Sequence, residues 1–186
     1  MSELVQTHEQ QQHELQQMLE ATRERASDDN DKYLSFELKG MTYGVDILGI
    51  KEIIEYGQVT KIPMAPAYIR GVINLRGNVV PIIDLAVRLG KERLSSSKKT
   101  CIIVLENEQD GDTMVLGFVV DSVNEVIDII PESIETTPSF GMDIRTDFIG
   151  GMGRVNNRFV ILLDLDKVLS IKELSQFFQA KSEEQD

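Results

Sequence analysis

Residues 68–85 read Y-I-R-G-V-I-N-L-R-G-N-V-V-P-I-I-D-L. Two apolar runs, 72–75 and 79–83, flank Arg76-Gly77-Asn78. Gly and Asn accept the positive φ that a tight hairpin turn needs. Val and Ile suit a pleated, half-buried surface. The stretch therefore predicts a β-hairpin whose tip presents Arg76. Pro81 lies inside the second run and cannot donate to a ladder, so that strand is an edge or Pro81 faces away from its neighbour. Asp84 is placed to cap a short helical turn over 85–89.

Residues 148–165, F-I-G-G-M-G-R-V-N-N-R-F-V-I-L-L-D-L, echo this stretch without gaps. Ile69 falls on Ile149, Gly71 on Gly151, Val80 on Val160 and Asp84-Leu85 on Asp164-Leu165. Arg76-Gly77 falls on Asn156-Asn157, again a turn pair. A second match lies upstream, where residues 43–54 align with 116–127. Two matches in the same order indicate one unit used twice.

The chain has 186 residues and 41% hydrophobic content, enough for a packed core. No apolar run reaches the length of a membrane span. The polar start predicts no secretion signal, and the single cysteine, Cys101, fits a cytoplasmic location. Net charge is −12, of which residues 1–31 carry −6 and residues 181–186 carry −2. An acidic chain argues against binding to nucleic acid or to an anionic membrane surface, and no direct membrane insertion is expected.

Residues 1–31 form an N-terminal extension, helical or disordered. Leu15, Met18 and Leu19 make a weak helical stripe with too little apolar surface to anchor itself. Residues 32–90 form a first unit with strands near 33–38, 41–45, 50–56, 72–75 and 79–83. Residues 91–99 are a Ser/Lys linker. Residues 100–170 form a second unit, with strands near 101–105, 114–120, 123–129, 151–155 and 159–163, and an acidic loop over 106–112. Residues 171–186 hold a C-terminal helix, with Ile171, Leu174, Phe177 and Phe178 at helical spacing, and an acidic tail. The fold class is all-β: two five-stranded barrels packed together, each too small to stand alone, with a groove between them.

Catalytic residues are not indicated. The only histidines, His8 and His13, lie in the extension. No Cys/His cluster suggests a metal, and no cofactor motif is present. Asp84 and Asp164 occupy equivalent positions, and capping accounts for both. Arg76 is either a solvated turn residue or a contact to a partner. Phe140, in T-P-S-F-G, is either folded into the core or an exposed docking knob.

Tyr43-Gly44-Val45-Asp46-Ile47, Val59-Thr60-Lys61-Ile62-Pro63, the 68–77 segment and Pro81-Ile82-Ile83-Asp84-Leu85 together resemble the CheW family of chemotaxis coupling proteins. Gly117-Phe118-Val119-Val120-Asp121 and Val123-Asn124-Glu125-Val126 continue the resemblance, which spans roughly 32–169. It implies SH3-like barrels and a non-enzymatic adaptor joining chemoreceptor cytoplasmic tips to the regulatory domain of a histidine kinase. It implies a receptor-binding groove at Ile50, Glu52, Gly71, Arg76, Val123 and Val126, and kinase contacts at Val79 and Phe140. It further implies a chain that is monomeric alone, oligomeric only within arrays, and cytoplasmic, recruited to membrane-bound receptor clusters. Coupling in another chemosensory pathway is an alternative. A carboxylate-dependent hydrolase and a nucleic-acid-binding barrel are weaker ones.

Overall fold

The computed structural model describes residues 8–24, 31–135 and 148–176. Helix α1 (His8–Glu24) precedes β1 (Asp31–Leu38), β2 (Met41–Asp46), the 3₁₀ turn Ile47–Gly49, β3 (Ile50–Glu55), β4 (Ile69–Leu75) and β5 (Asn78–Asp84). The single turn α2 (Leu85–Arg88) leads to β6 (Cys101–Gln109), β7 (Asp112–Val120) and β8 (Ser122–Ile129). Strands β9 (Ile149–Val155) and β10 (Arg158–Leu163) precede α3 (Leu165–Val168), and residues 171–176 form α4. Phe140, Phe177 and Phe178 lie outside the described residues.

Four two-residue turns build the hairpins: Lys39-Gly40, Arg76-Gly77, Asp110-Gly111 and Asn156-Asn157. Both residues of each turn have positive φ, the combination that matches strand twist. At the second hairpin Arg76 itself carries φ +52, and Asn78 already belongs to β5. The Asp110-Gly111 turn overturns the acidic loop expected at 106–112. β6 and β7 run through it and pair from Cys101↔Val120 to Gln109↔Asp112. The acidic side chains there alternate with others on an extended hairpin.

The two sheets have orders β8-β1-β2-β10-β9 and β3-β6-β7-β5-β4. Numbered within each half-chain, both orders read third, first, second, fifth, fourth. The first and second strands come from one half, and the other three come from the other half. Units 32–90 and 100–170 thus repeat in pairing pattern, and each sheet draws strands from both of them. Sequence matching reveals which strands are equivalent; it does not reveal which copy supplies the partner, since swapped and unswapped pairings make the same local contacts.

Equivalent irregularities confirm the repeat. Extra residues enter β3 at Lys51 and β8 at the matching Asn124-Glu125. Others enter β4 at Arg70 and β9 at the matching Gly150. Gly44 sits opposite Leu162 and Gly117 opposite Ile82, in the two parallel pairings between halves. A Cβ at Gly117 would lie 2.6 Å from Ile102, so the strands approach closely there. The segment after β3 closes one sheet through Thr60↔Val72, and the segment after β8 closes the other through Glu135↔Met152. Because Val72 bonds Thr60 with both its N–H and its C=O, its partner Pro81 removes no rung from β4–β5.

The apolar core runs continuously through both sheets, with Phe36, Tyr43, Ile82, Phe118 and Leu85 among its fully buried members. Burial pushes the Tyr43 hydroxyl up to about 12. Helix α1 joins this core. Leu19 is fully buried and Leu15 half-buried in the same cluster. The extension is therefore a docked helix over these residues, which corrects the expectation that it lacks an anchor. A polar helix of this length is marginal alone; burying Leu19 contributes about 1.5–3 kcal/mol.

Gly71 is buried with φ +145, and a Cβ there would stand 2.0 Å from the Thr60 carbonyl oxygen. Its role is closure of the barrel. Gly71→Ala must strain the backbone and break the Thr60–Val72 bridge. We expect a loss of about 2–4 kcal/mol in chemical denaturation. A loss under about 1 kcal/mol would mean that the closure is not needed.

Candidate functional site

β3 ends one sheet and β8 ends the other. Edge strands present unpaired backbone groups and tend to be covered. Here α1 packs against β3, β8 and the 3₁₀ turn, spanning both edges. The Ile53 N–H donates to Gln16 Oε1 at 3.2 Å, and Gln16 Nε2 donates to the Lys51 carbonyl at 3.3 Å. The extra residue Lys51 lets β3 turn this carbonyl outward. Gln16 escaped the sequence reading because the extension is mostly polar; one of two glutamines between Leu15 and Leu19 carries no signal.

Of the predicted groove residues, Ile50 and Glu52 are on β3 and Val123 and Val126 on β8, the two strands that α1 covers. Val123 and Val126 are half-buried. Ile50 is buried with α1 in place, and Gly71 is spent on barrel closure, so neither offers free surface. Arg76 is not a lone solvated cation. Its Nη1 and Nη2 donate to the two Glu52 carboxylate oxygens, each at 2.9 Å. The Arg76 side chain remains 77% exposed while that of Glu52 is 15% exposed. The fork thus holds Glu52 in place and leaves most of the guanidinium turned outward.

Beside the fork a cavity of about 740 Å³ is lined by Gln16, Leu75, Val79, Pro81 and Met114 as well as Glu52 and Arg76. Val79 is exposed on β5 at 65%. The groove and the Val79 surface therefore meet at the Arg76–Glu52 pair. The match of Val79 in the second half is Phe159, also exposed, with Arg154 over its ring at 5.0 Å.

Asp84 belongs to a different constellation. It is fully buried, and its Oδ2 accepts from Arg70 Nε at 3.0 Å while its Oδ1 accepts from the Val87 N–H. Arg70 also donates to the Tyr56 hydroxyl at 2.9 Å and to the Leu94 carbonyl. Burial alone would lower the Arg70 pKa; the hydrogen bonds to Tyr56 and Asp84 outweigh it and hold it above its ordinary value. Asp164 caps α3, its Oδ1 accepting from the Asp166 N–H at 3.1 Å, and its repeat-equivalent of Arg70 is Gly150. Both aspartates cap helices as expected, and Asp84 is sealed from any substrate. Arg70 was legible only as part of a motif, although a charge inside an apolar strand is itself a sign of a buried pair. Among the described residues no His/Cys/Asp/Glu group could hold a metal, and no helix is long and apolar enough to cross a membrane.

The two arginines give opposite expectations. Arg70→Ala leaves the Asp84 charge buried and unpaired, and should cost about 3–5 kcal/mol. Arg76→Ala breaks an exposed pair and should cost less than about 1 kcal/mol. Urea melts of both variants check this, and equal losses would contradict it.

A family model for the CheW-like domain matches residues 32–173. The chain is 40% identical to the chemotaxis protein CheW of Klebsiella aerogenes over 144 residues, covering 77% of this chain and 84% of that one. It is 34% identical to the chemotaxis protein CheW of Treponema pallidum, covering 81% and 88%. Among solved structures it resembles the scaffolding protein TtCheW of Thermoanaerobacter tengcongensis, with a TM-score of 0.67, 35% identity and coverage of 76% and 89%.

Proposed function

The chain belongs to the CheW-like domain family of chemotaxis proteins, and on that premise we propose that it is a non-enzymatic coupling scaffold. It joins the cytoplasmic tip of a chemoreceptor to the regulatory domain of a histidine kinase. The observation that carries this reading is the groove between the β3 and β8 edges, which in this structure accommodates a helix. A chemoreceptor tip is helical, and the half-buried Val123 and Val126 supply an apolar floor for one. The Arg76–Glu52 fork at the end of the groove offers a directed cation to a partner carboxylate or carbonyl.

The kinase domain docks at the barrel end that carries Val79, with Phe140 as the second contact. An apolar side chain standing 65% exposed beside a cavity suits a protein partner better than water. The two partners then bind adjoining surfaces, and the chain bridges them within a membrane-associated cluster while remaining monomeric alone.

The test is a pair of titrations with a receptor cytoplasmic fragment and a kinase regulatory domain. Val126→Asp should weaken the receptor fragment at least about tenfold, because a carboxylate must be desolvated beneath the helix. Arg76→Ala should cost about 1–3 kcal/mol of the same binding. Val79→Asp should weaken only the kinase domain. Receptor binding that ignores Val126→Asp, in a chain whose melt is normal, would remove the groove reading.

A further inference from the structure

The groove that suits a partner helix already holds one. Leu15 and Leu19 of α1 enter the same apolar cluster as Ile50, Ile53, Val123 and Val126. Gln16 bonds the β3 edge at Lys51 and Ile53. Helix α1 also lies outside residues 32–173, the region that matches the family, so it is an addition to the shared domain.

Resting on the reading of this groove as the receptor site, we propose that α1 is a competing internal occupant which a receptor helix must displace. The fit is that of a substitute ligand. α1 offers apolar residues at Leu15 and Leu19, one turn apart on one face, while Glu14, Gln17 and Glu20 face solvent. A partner helix with an apolar pair at i and i+4 would seat in the same place. Only residues 25–30 separate α1 from β1. Such a short tether keeps the helix at an effective concentration on the order of mM.

The anchorage is slight. Leu19 is the one fully buried side chain on α1 among those described, with Leu15 and Gln16 half-buried beside it. An outer helix whose described residues include one fully buried side chain belongs toward the low end of local stability. Burying one leucine biases the equilibrium about 10–100-fold toward the docked state. A ligand that needs the open state has its affinity lowered by the same factor. The extension thus sets a threshold for receptor binding without touching the receptor.

The experiment uses the full chain, its Leu19→Asp and Gln16→Ala variants, and a chemoreceptor cytoplasmic fragment as probe. Leu19→Asp expels α1 and should tighten fragment binding about 10–100-fold. Gln16→Ala removes only the two amide hydrogen bonds and should tighten it about threefold to tenfold. Amide hydrogen exchange should show residues 8–24 losing protection as the fragment saturates the wild-type chain, while β3 and β8 gain it. If both variants bind at wild-type affinity or weaker and residues 8–24 stay protected in the complex, α1 is a fixed wall and the inference is overturned. Loss of binding in Val126→Asp would in that case leave the receptor site itself standing. Absence of binding by all of these chains would remove the receptor reading and this inference together.

Discussion

The structure depends on the parallel pairing of each half-chain's fifth strand with the second strand of the other half. β5 pairs with β7 through Ile82–Asp84, and β10 pairs with β2 through Ile161 and Leu162. Parallel strands cannot be joined by a tight turn, so these contacts need chain from elsewhere. The exchange supplies it. It also ties the two sheets into one main apolar cluster, with a smaller one of Ile127, Ile129, Val160 and Leu162 beside it. The groove then has a simple origin. Third strands end both sheets, and α1 spans the two edges left over.

The two halves share this plan but have diverged in polarity. The extra residue in β4 is Arg70, turned inward onto Asp84, Tyr56 and the Leu94 carbonyl. The extra residue in β9 is Gly150, and Asp164 there is a partly exposed cap. A buried ion pair is costly to desolvate and gains mainly from full hydrogen bonding. Here it fixes the hairpin that carries Arg76 and Val79 against the segment around Leu94. The Arg76 and Val79 part of the surface proposed for partners thus stands on the half with the more constrained interior.

Much of this was legible in the sequence for physical reasons. Ten strands followed from Val/Ile runs between turn pairs, and the repeat followed from two ungapped matches. Both Asp84 and Asp164 were readable as caps. Other features depended on distance in space. Which half supplied a partner strand was invisible, because equivalent strands offer equivalent faces. Asp110-Gly111 was a turn signal hidden in an acidic run. Gly71 resembled a surface position, yet its neighbour is the Thr60 carbonyl from a loop. The docking of α1 rests on Leu19 and on a glutamine amide meeting a strand edge, neither of which has a sequence pattern of its own.

On the proposed reading, the surface between β3 and β8 is a helix site, held by α1 until a partner takes it. Spin labels at Glu20→Cys and Lys61→Cys, in a Cys101→Ala background, measure it directly, since Glu20 and Lys61 are both exposed. Electron–electron resonance on the free chain should give one narrow distance distribution. Saturating chemoreceptor fragment should replace it with a longer and broader one. A narrow distribution that stays unchanged while the fragment is bound would contradict the claim.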